Sequence, residues 1–141
     1  MEIKNISGAV IYKSDLKILK DVVQDALKKS VDLSNANLTG ADLQGLKIGE
    51  HSTACLAGAN LAKSQLNLCQ LLKLNLRGAN LSGANLFASN FTGADLSGAN
   101  LTGANLMKAN FAQANLSGAD LRGVDTASCQ MAGANLEGVK K

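Results

Sequence analysis

The sequence predicts an all-β solenoid, a four-sided β-helix of about five coils with a short strand and helix cap at its N-terminal end. Three observations carry this. From Val31 to Gly138 one five-residue unit repeats, as in "ANLSG ANLFA SNFTG ADLSG", with an apolar centre and usually Ala two residues before it. Twelve of the fourteen glycines lie two residues after a centre, and proline is absent. A slower period of twenty residues places Phe91 and Phe111 in one column, with Leu71 below and Met131 above.

The five-residue period excludes the two regular alternatives. A helix advances about 500° in five residues, so the leucines would spiral around it and leave no buried stripe. In a straight strand an odd period throws successive leucines onto opposite faces. The chain must turn once per unit, and Leu-Ser-Gly-Ala supplies the turn because Gly accepts the positive φ required at its third residue. Four units then close one coil, stacked on the next at about 4.8 Å.

In order along the chain, residues 1–30 precede the repeat. Glu2 to Tyr12 reads as two short strands around Ser7-Gly8. Ser14 is placed to cap a helix from about Asp15 to Lys29, with Leu16, Leu19, Val23, Ala26 and Leu27 on the face that covers the first coil. Ile6, Ile11 and Leu16 also step by five, which leaves a degenerate extra coil as the alternative. The repeat occupies 31–138, interrupted by an insertion at 51–53, and 139–141 form a tail. All centres are Leu, Ile, Phe or Met except Thr126. The row Leu68, Ala88, Lys108 and Ser128 lacks Gly, unlike the all-Gly row 58, 78, 98, 118 and 138, and is expected to turn differently. Asn and Asp before the centres, such as Asn80, Asn100 and Asp120, are expected to face outward and bond neighbouring backbone.

These units, of the form A(D/N)LxG over roughly three quarters of the chain, resemble the pentapeptide-repeat family. The resemblance implies a right-handed quadrilateral β-helix. It also implies non-enzymatic binding, in some members to type II topoisomerases through likeness to duplex DNA. This chain departs from that pattern. Its net charge is +3, with seven acidic and eight basic residues from Val31 onward. A DNA mimic needs a strongly negative rod.

Enzymatic chemistry finds no support in the spacing. His51 has only Cys55 as a local thiol, and a dyad needs a third group and a cleft. Asp95 and Asp120 fall on different faces, so they cannot flank one substrate. No metal-ligand cluster, cofactor motif or phosphate loop occurs in the sequence. Lys63, Lys73, Arg77, Lys108 and Arg122 scatter over the faces, and with four aromatic rings in the chain no nucleic-acid stripe forms.

The expected function is therefore a non-enzymatic binding or scaffolding solenoid with an unidentified protein partner; a topoisomerase modulator is the alternative. The candidate interaction patch is Leu68, Leu72, Phe87 and Met107, apolar at outward positions. Thr126, Met131 and Leu136 mark an uncapped end at which a homodimer is expected. Phe91 and Phe111 form an inward aromatic column. Cys69 and Cys129 point inward roughly 14 Å apart, too far for a disulfide, and Cys55 points outward. No stretch is long and apolar enough to span a membrane, no signal peptide opens the chain, and the cytoplasm is the expected compartment.

Overall fold

A computed structural model describes residues 1–48 and 53–141. His51, Ser52 and most of the expected insertion lie outside the described residues; Thr53 is exposed. The backbone turns once per unit, nearly every described turn closed by the amide two residues before a centre, as in Ala79 N–H to Leu76 C=O at 3.0 Å and Ala99 N–H to Leu96 C=O at 3.0 Å. Parallel bridges then tie most units to the one a coil later. Asp32, Asn37, Asp42 and Lys47 pair with Cys55, Asn60, Gln65 and Gln70, a step of 23 residues, and Cys55 pairs with Asn75, a step of 20. Four bridges per coil make the coil four-sided, and the three extra residues of the first step are the insertion.

Among the described residues the third residue of every turn but the one at Ser128 has positive φ, whether or not it is glycine. In the row expected to differ, Leu68, Ala88 and Lys108 have φ of 60°, 53° and 60°, beside 61° at Gly78 and 65° at Gly98. The expected difference is absent from the φ of all three. The reason lies in the ladder: Leu68 N–H donates to Phe87 C=O and Ala88 N–H to Met107 C=O, both at 2.9 Å, so stacking dictates the backbone. The turns at Ala88 and Lys108 close normally through Ser89 N–H to Leu86 C=O and Ala109 N–H to Leu106 C=O. Only the turn at Leu68 differs, in its closure, because Cys69 N–H bonds the Ser89 hydroxyl. The left-handed conformation costs a non-glycine residue about 1–3 kcal/mol. Ser128 alone in that row lies outside the positive-φ region.

Outward Asn and Asp side chains behave as expected of Asx turns. Asn80 Oδ1 accepts from Ser82 N–H at 3.1 Å, Asn100 Oδ1 from Thr102 N–H at 3.0 Å and Asp120 Oδ1 from Arg122 N–H at 3.2 Å. They also bond along the axis, Asn80 Nδ2 to Asn60 Oδ1 at 3.3 Å and Asn105 Nδ2 to Asn85 Oδ1 at 3.2 Å.

The N-terminal segment is a cap and not an extra coil. Strands β1 (Glu2–Lys4) and β2 (Val10–Lys13) pair antiparallel. Asn5 shapes the turn between them by accepting Ser7 and Ala9 N–H on Oδ1, and Gly8 supplies φ of 88°. The hairpin docks on the first coil through Asn37 N–H to Lys4 C=O and Ile6 N–H to Asn35 C=O. Helix α1 runs Leu19–Lys28, four residues shorter at its start than expected. Ser14 does not cap it: the Met1 ammonium binds the carbonyls of Ser14 and Leu16, so these do not enter the helical ladder, and Leu16 stays exposed. Val22, Val23, Ala26 and Leu27 are buried over the first coil. Tyr12 donates to Asp25, which also pairs with Lys29 at 2.9 Å, joining hairpin and helix.

Inside the coils, Leu centres and small residues two before them make one continuous core. Phe91 and Phe111 are both fully buried, their rings stacked with centroids 5.1 Å apart. Toward the other end the order changes. Among the described residues no bridge joins Asn105 to Asp125, although the neighbouring columns pair as Asn100↔Asp120 and Asn110↔Gln130. Thr126, the polar centre, sits one residue past that gap. The ladder then resumes and reaches further than expected, because Lys140 pairs with Asp120, and Leu121 N–H donates to Lys140 C=O at 2.8 Å. Residues 139 and 140 thus belong to the last coil, not to a tail.

Candidate interaction surface

One corner of the solenoid gathers the outward apolar side chains. Phe87 and Met107 follow centres Leu86 and Leu106 one coil apart, and Leu68 precedes Phe87 on the coil before. The backbone bonds from Leu68 to Phe87 and from Ala88 to Met107 hold the three levels in contact register. Leu68 is 50% and Met107 51% exposed, and Phe87 is half-buried. The Lys108 ammonium lies 5.8 Å from the centre of the Phe87 ring, a cation–π distance. Leu72, the fourth predicted member, is half-buried and belongs to the next turn around the coil, outside this row.

The structure extends the corner where the sequence reading did not. Because α1 starts late, Ile18 lies outside it and is 61% exposed. Ile18, Leu19 and Lys20 face Gln44, Gly45 and Leu68 across a groove of about 510 Å³. The apolar row therefore runs from Ile18 through Leu68 and Phe87 to Met107. No periodic signal marks Ile18, since the expected helix had absorbed it.

Beneath the corner a polar side chain occupies an Ala slot. Ser89 is buried; its hydroxyl accepts Cys69 N–H at 3.0 Å and donates to Leu66 C=O. It thus stands between the two groups that bond directly in other turns, and the turn carrying Leu68 is held open around it. Cys69 and Cys129 use the same column, their thiols donating to Leu43 C=O at 3.2 Å and Leu106 C=O at 3.1 Å. Burial pushes the Cys69 thiol up to about 11. A hydroxyl in a slot most often filled by Ala is visible in the sequence; its role as a wedge is not.

The other predicted positions fall elsewhere. Phe91 and Phe111 are core and touch no solvent. Thr126 and Met131 are half-buried and Leu136 is 41% exposed, so the inward column loses its cover in the last coil. Cys55 is outward and half-buried, its sulfur 3.2 Å from the Ser34 hydroxyl, which donates to Asp32. His51, its expected neighbour, lies outside the described residues. Asp95 and Asp120 stand in different columns, each near an arginine: Arg77 at 3.7 Å and Arg122 at 2.6 Å. Among the described residues no group of three His, Cys, Asp or Glu is placed to hold a metal ion, and no helix is long and apolar enough to cross a membrane.

A four-sided coil of stacked five-residue units, with an Asx ladder outside and a Leu/Ala core, defines a class of β-helical repeat proteins. The Pentapeptide repeats (8 copies) family matches residues 29–48, 54–93 and 89–125, and the chain belongs to the pentapeptide repeat family. Its members fold into right-handed quadrilateral β-helices. Among solved structures it is similar to a pentapeptide repeat protein from the Arabidopsis thaliana thylakoid lumen, 33% identical with a TM-score of 0.57 over 72% of this chain and 66% of that one. It is also similar to a pentapeptide repeat protein of the cyanobacterium Cyanothece 51142, 32% identical with a TM-score of 0.37 over 78% and 63% of the two chains. A third, from Nostoc Pcc 7120, is 29% identical with a TM-score of 0.45 over 91% and 98%. The chain spans slightly less than two thirds of the length of the first two. No curated protein matches it.

Proposed function

We propose that this chain is a protein-binding solenoid whose contact surface is the corner bearing Leu68, Phe87 and Met107. The observation that carries the reading is one of distribution. Of the three large hydrophobic residues that stand exposed among the described residues from Val31 onward, Leu68 and Met107 share this corner and Leu136 sits on the last coil. The surrounding faces are ladders of Asn, Ser, Thr and Gly, so an apolar row stands out as a place to exclude water against a partner. Pentapeptide repeat proteins are generally non-catalytic, and the reading of the chain as non-enzymatic rests on that membership. Replacing Phe87 and Met107 together with Ser, followed by affinity capture from native lysate, tests it: capture should be lost while the circular dichroism spectrum stays unchanged. Capture that survives the substitutions ends the proposal.

The competing reading is a modulator of type II topoisomerase. The charge argues against it, +3 overall where a DNA-like rod needs strong negative potential. A gyrase supercoiling assay separates the two, since a binding module of the proposed kind leaves supercoiling unchanged.

Self-association is a further proposal for the 141-residue chain. The last coil leaves Leu136 exposed and Met131 half-covered, whereas the first coil is sealed by α1 and the hairpin. Pairing of two such ends would bury them. Light scattering at tens of micromolar should give the mass of two chains, and a single-chain mass would rule the pairing out. The three free thiols support a reducing compartment such as the cytoplasm. Fractionation of the source cells tests that, since recovery outside the cytoplasm would contradict it.

A further inference from the structure

We infer that the occupant of this surface is an acidic amphipathic helix of another protein, lying along the corner parallel to the solenoid axis. The inference rests on the binding surface proposed above and concerns what that surface recognises.

Backbone accounting selects a helix over a strand. At this corner the amides are already spent on the next coil: Gly45 N–H on Asn67 C=O at 3.0 Å, Leu68 N–H on Phe87 C=O at 2.9 Å and Ala88 N–H on Met107 C=O at 2.9 Å. With the Lys108 amide also taken, by the Ser128 hydroxyl at 3.0 Å, a strand laid along the row would find none of these four amides free for its carbonyls and would leave them facing apolar side chains. A helix satisfies its backbone internally and meets the row with side chains alone.

Spacing agrees. The row offers one apolar residue per coil, at steps of about 4.8 Å, and a helix offers one apolar residue per turn, at steps of about 5.4 Å. Over the three steps from the Ile18 groove to Met107 the mismatch stays below about 2 Å, within the reach of flexible Met and Leu side chains. The groove of about 510 Å³ gives the end of the row a pocket for one bulky anchor.

Charge sets the sign of the partner. Lys20 lines the groove at one end and Lys108 flanks Met107 at the other. Among the described residues neither has a carboxylate within ion-pair distance, the four ion pairs being Lys13–Glu2, Lys29–Asp25, Arg77–Asp95 and Arg122–Asp120. The one carboxylate lining the groove, Asp42, has Oδ1 turned to its own turn, accepting Gln44 N–H at 3.2 Å. Carboxylates bordering the apolar stripe of a helix would meet both lysines.

The test uses the full chain and a fluorescein-labelled helical peptide of about four turns, with Leu at i, i+4, i+7 and i+11 and Glu beside them. Fluorescence anisotropy should show micromolar binding, at least tenfold tighter than for the same peptide with Lys in place of Glu. Lys20→Glu with Lys108→Glu should reverse that preference, and Phe87→Ser with Met107→Ser, or Leu68→Ser alone, should remove binding. The inference is overturned by equal binding of the Lys peptide or of a Pro-interrupted scramble. It is likewise overturned by binding that ignores the serine variants, or by capture of anionic phosphatidylglycerol vesicles without capture of the peptide. If the peptide fails while lysate capture still depends on Phe87 and Met107, the helix is wrong and the surface stands. If capture also ignores those side chains, both fall.

Discussion

The rings of Phe91 and Phe111 lie stacked one coil apart, centroids 5.1 Å from each other and planes 6° from parallel. Parallel strand stacking forces this, because residues twenty apart repeat the same position and the same side-chain direction. Both rings are fully buried, so truncating either leaves a cavity its neighbours cannot fill. Phe111→Ala should destabilise the fold by about 3–5 kcal/mol, and Phe91→Leu by a smaller amount. Urea denaturation followed by far-ultraviolet circular dichroism measures both, and a loss below about 1 kcal/mol for Phe111→Ala would mean that the stack is loosely packed.

Ser89 provides a second test of packing. Its hydroxyl is the partner of both Cys69 N–H and Leu66 C=O, so Ser89→Ala leaves a buried donor and acceptor facing each other across an open turn. The expected cost is about 1–3 kcal/mol, with faster hydrogen exchange at the Cys69 amide. Unchanged exchange would show that the turn closes on itself as its neighbours do, which would remove Ser89 as a wedge.

Thr126 is the one polar centre and borders the missing rung between Asn105 and Asp125. Thr126→Leu restores the side chain found at most other centres, and should raise stability by about 1 kcal/mol while slowing exchange at the Leu106 amide. If the variant melts at the same temperature and Leu106 exchanges as before, the gap has another cause.

Asp120 gives a pH signature. The Arg122 guanidinium beside it holds its carboxyl at about 2, against an ordinary 3.8. A depressed carboxylate contributes its stabilisation above the unfolded value and loses it as pH falls through about 2. Arg122 is solvent-exposed and Asp120 partly covered, so the effect on overall stability is small. The Asp120 carboxyl carbon should titrate near 2 by nuclear magnetic resonance and move up toward 3.8 in Arg122→Ala. An unchanged midpoint in the variant would assign the shift to another group.

Much of the architecture was legible because a solenoid writes its geometry as period. The five-residue frame fixed the turns, the twenty-residue columns fixed the coil, and Phe91 over Phe111 followed from counting. Departures from period were harder. The Gly-free row suggests a different turn, yet Leu68 and Ala88 keep the same φ because inter-coil backbone bonding outweighs side-chain preference, and Lys108 keeps it with its N–H on the Ser128 hydroxyl. The start of α1 was misplaced because the ammonium of Met1, far away in sequence, claims the carbonyls of Ser14 and Leu16. That misplacement hid Ile18 and with it the groove that extends the patch. The patch itself was legible in part: Leu68, Phe87 and Met107 share the corner, and Leu72 turns away from it.

The proposed contact surface is the Leu68, Phe87 and Met107 corner. Hydrogen exchange with and without a captured partner measures it most directly. New protection should be confined to residues 18–20, 66–69, 86–88 and 106–108. Protection confined instead to the opposite turns around Gly78, Gly98 and Gly118, with the Phe87 corner unchanged, would contradict it.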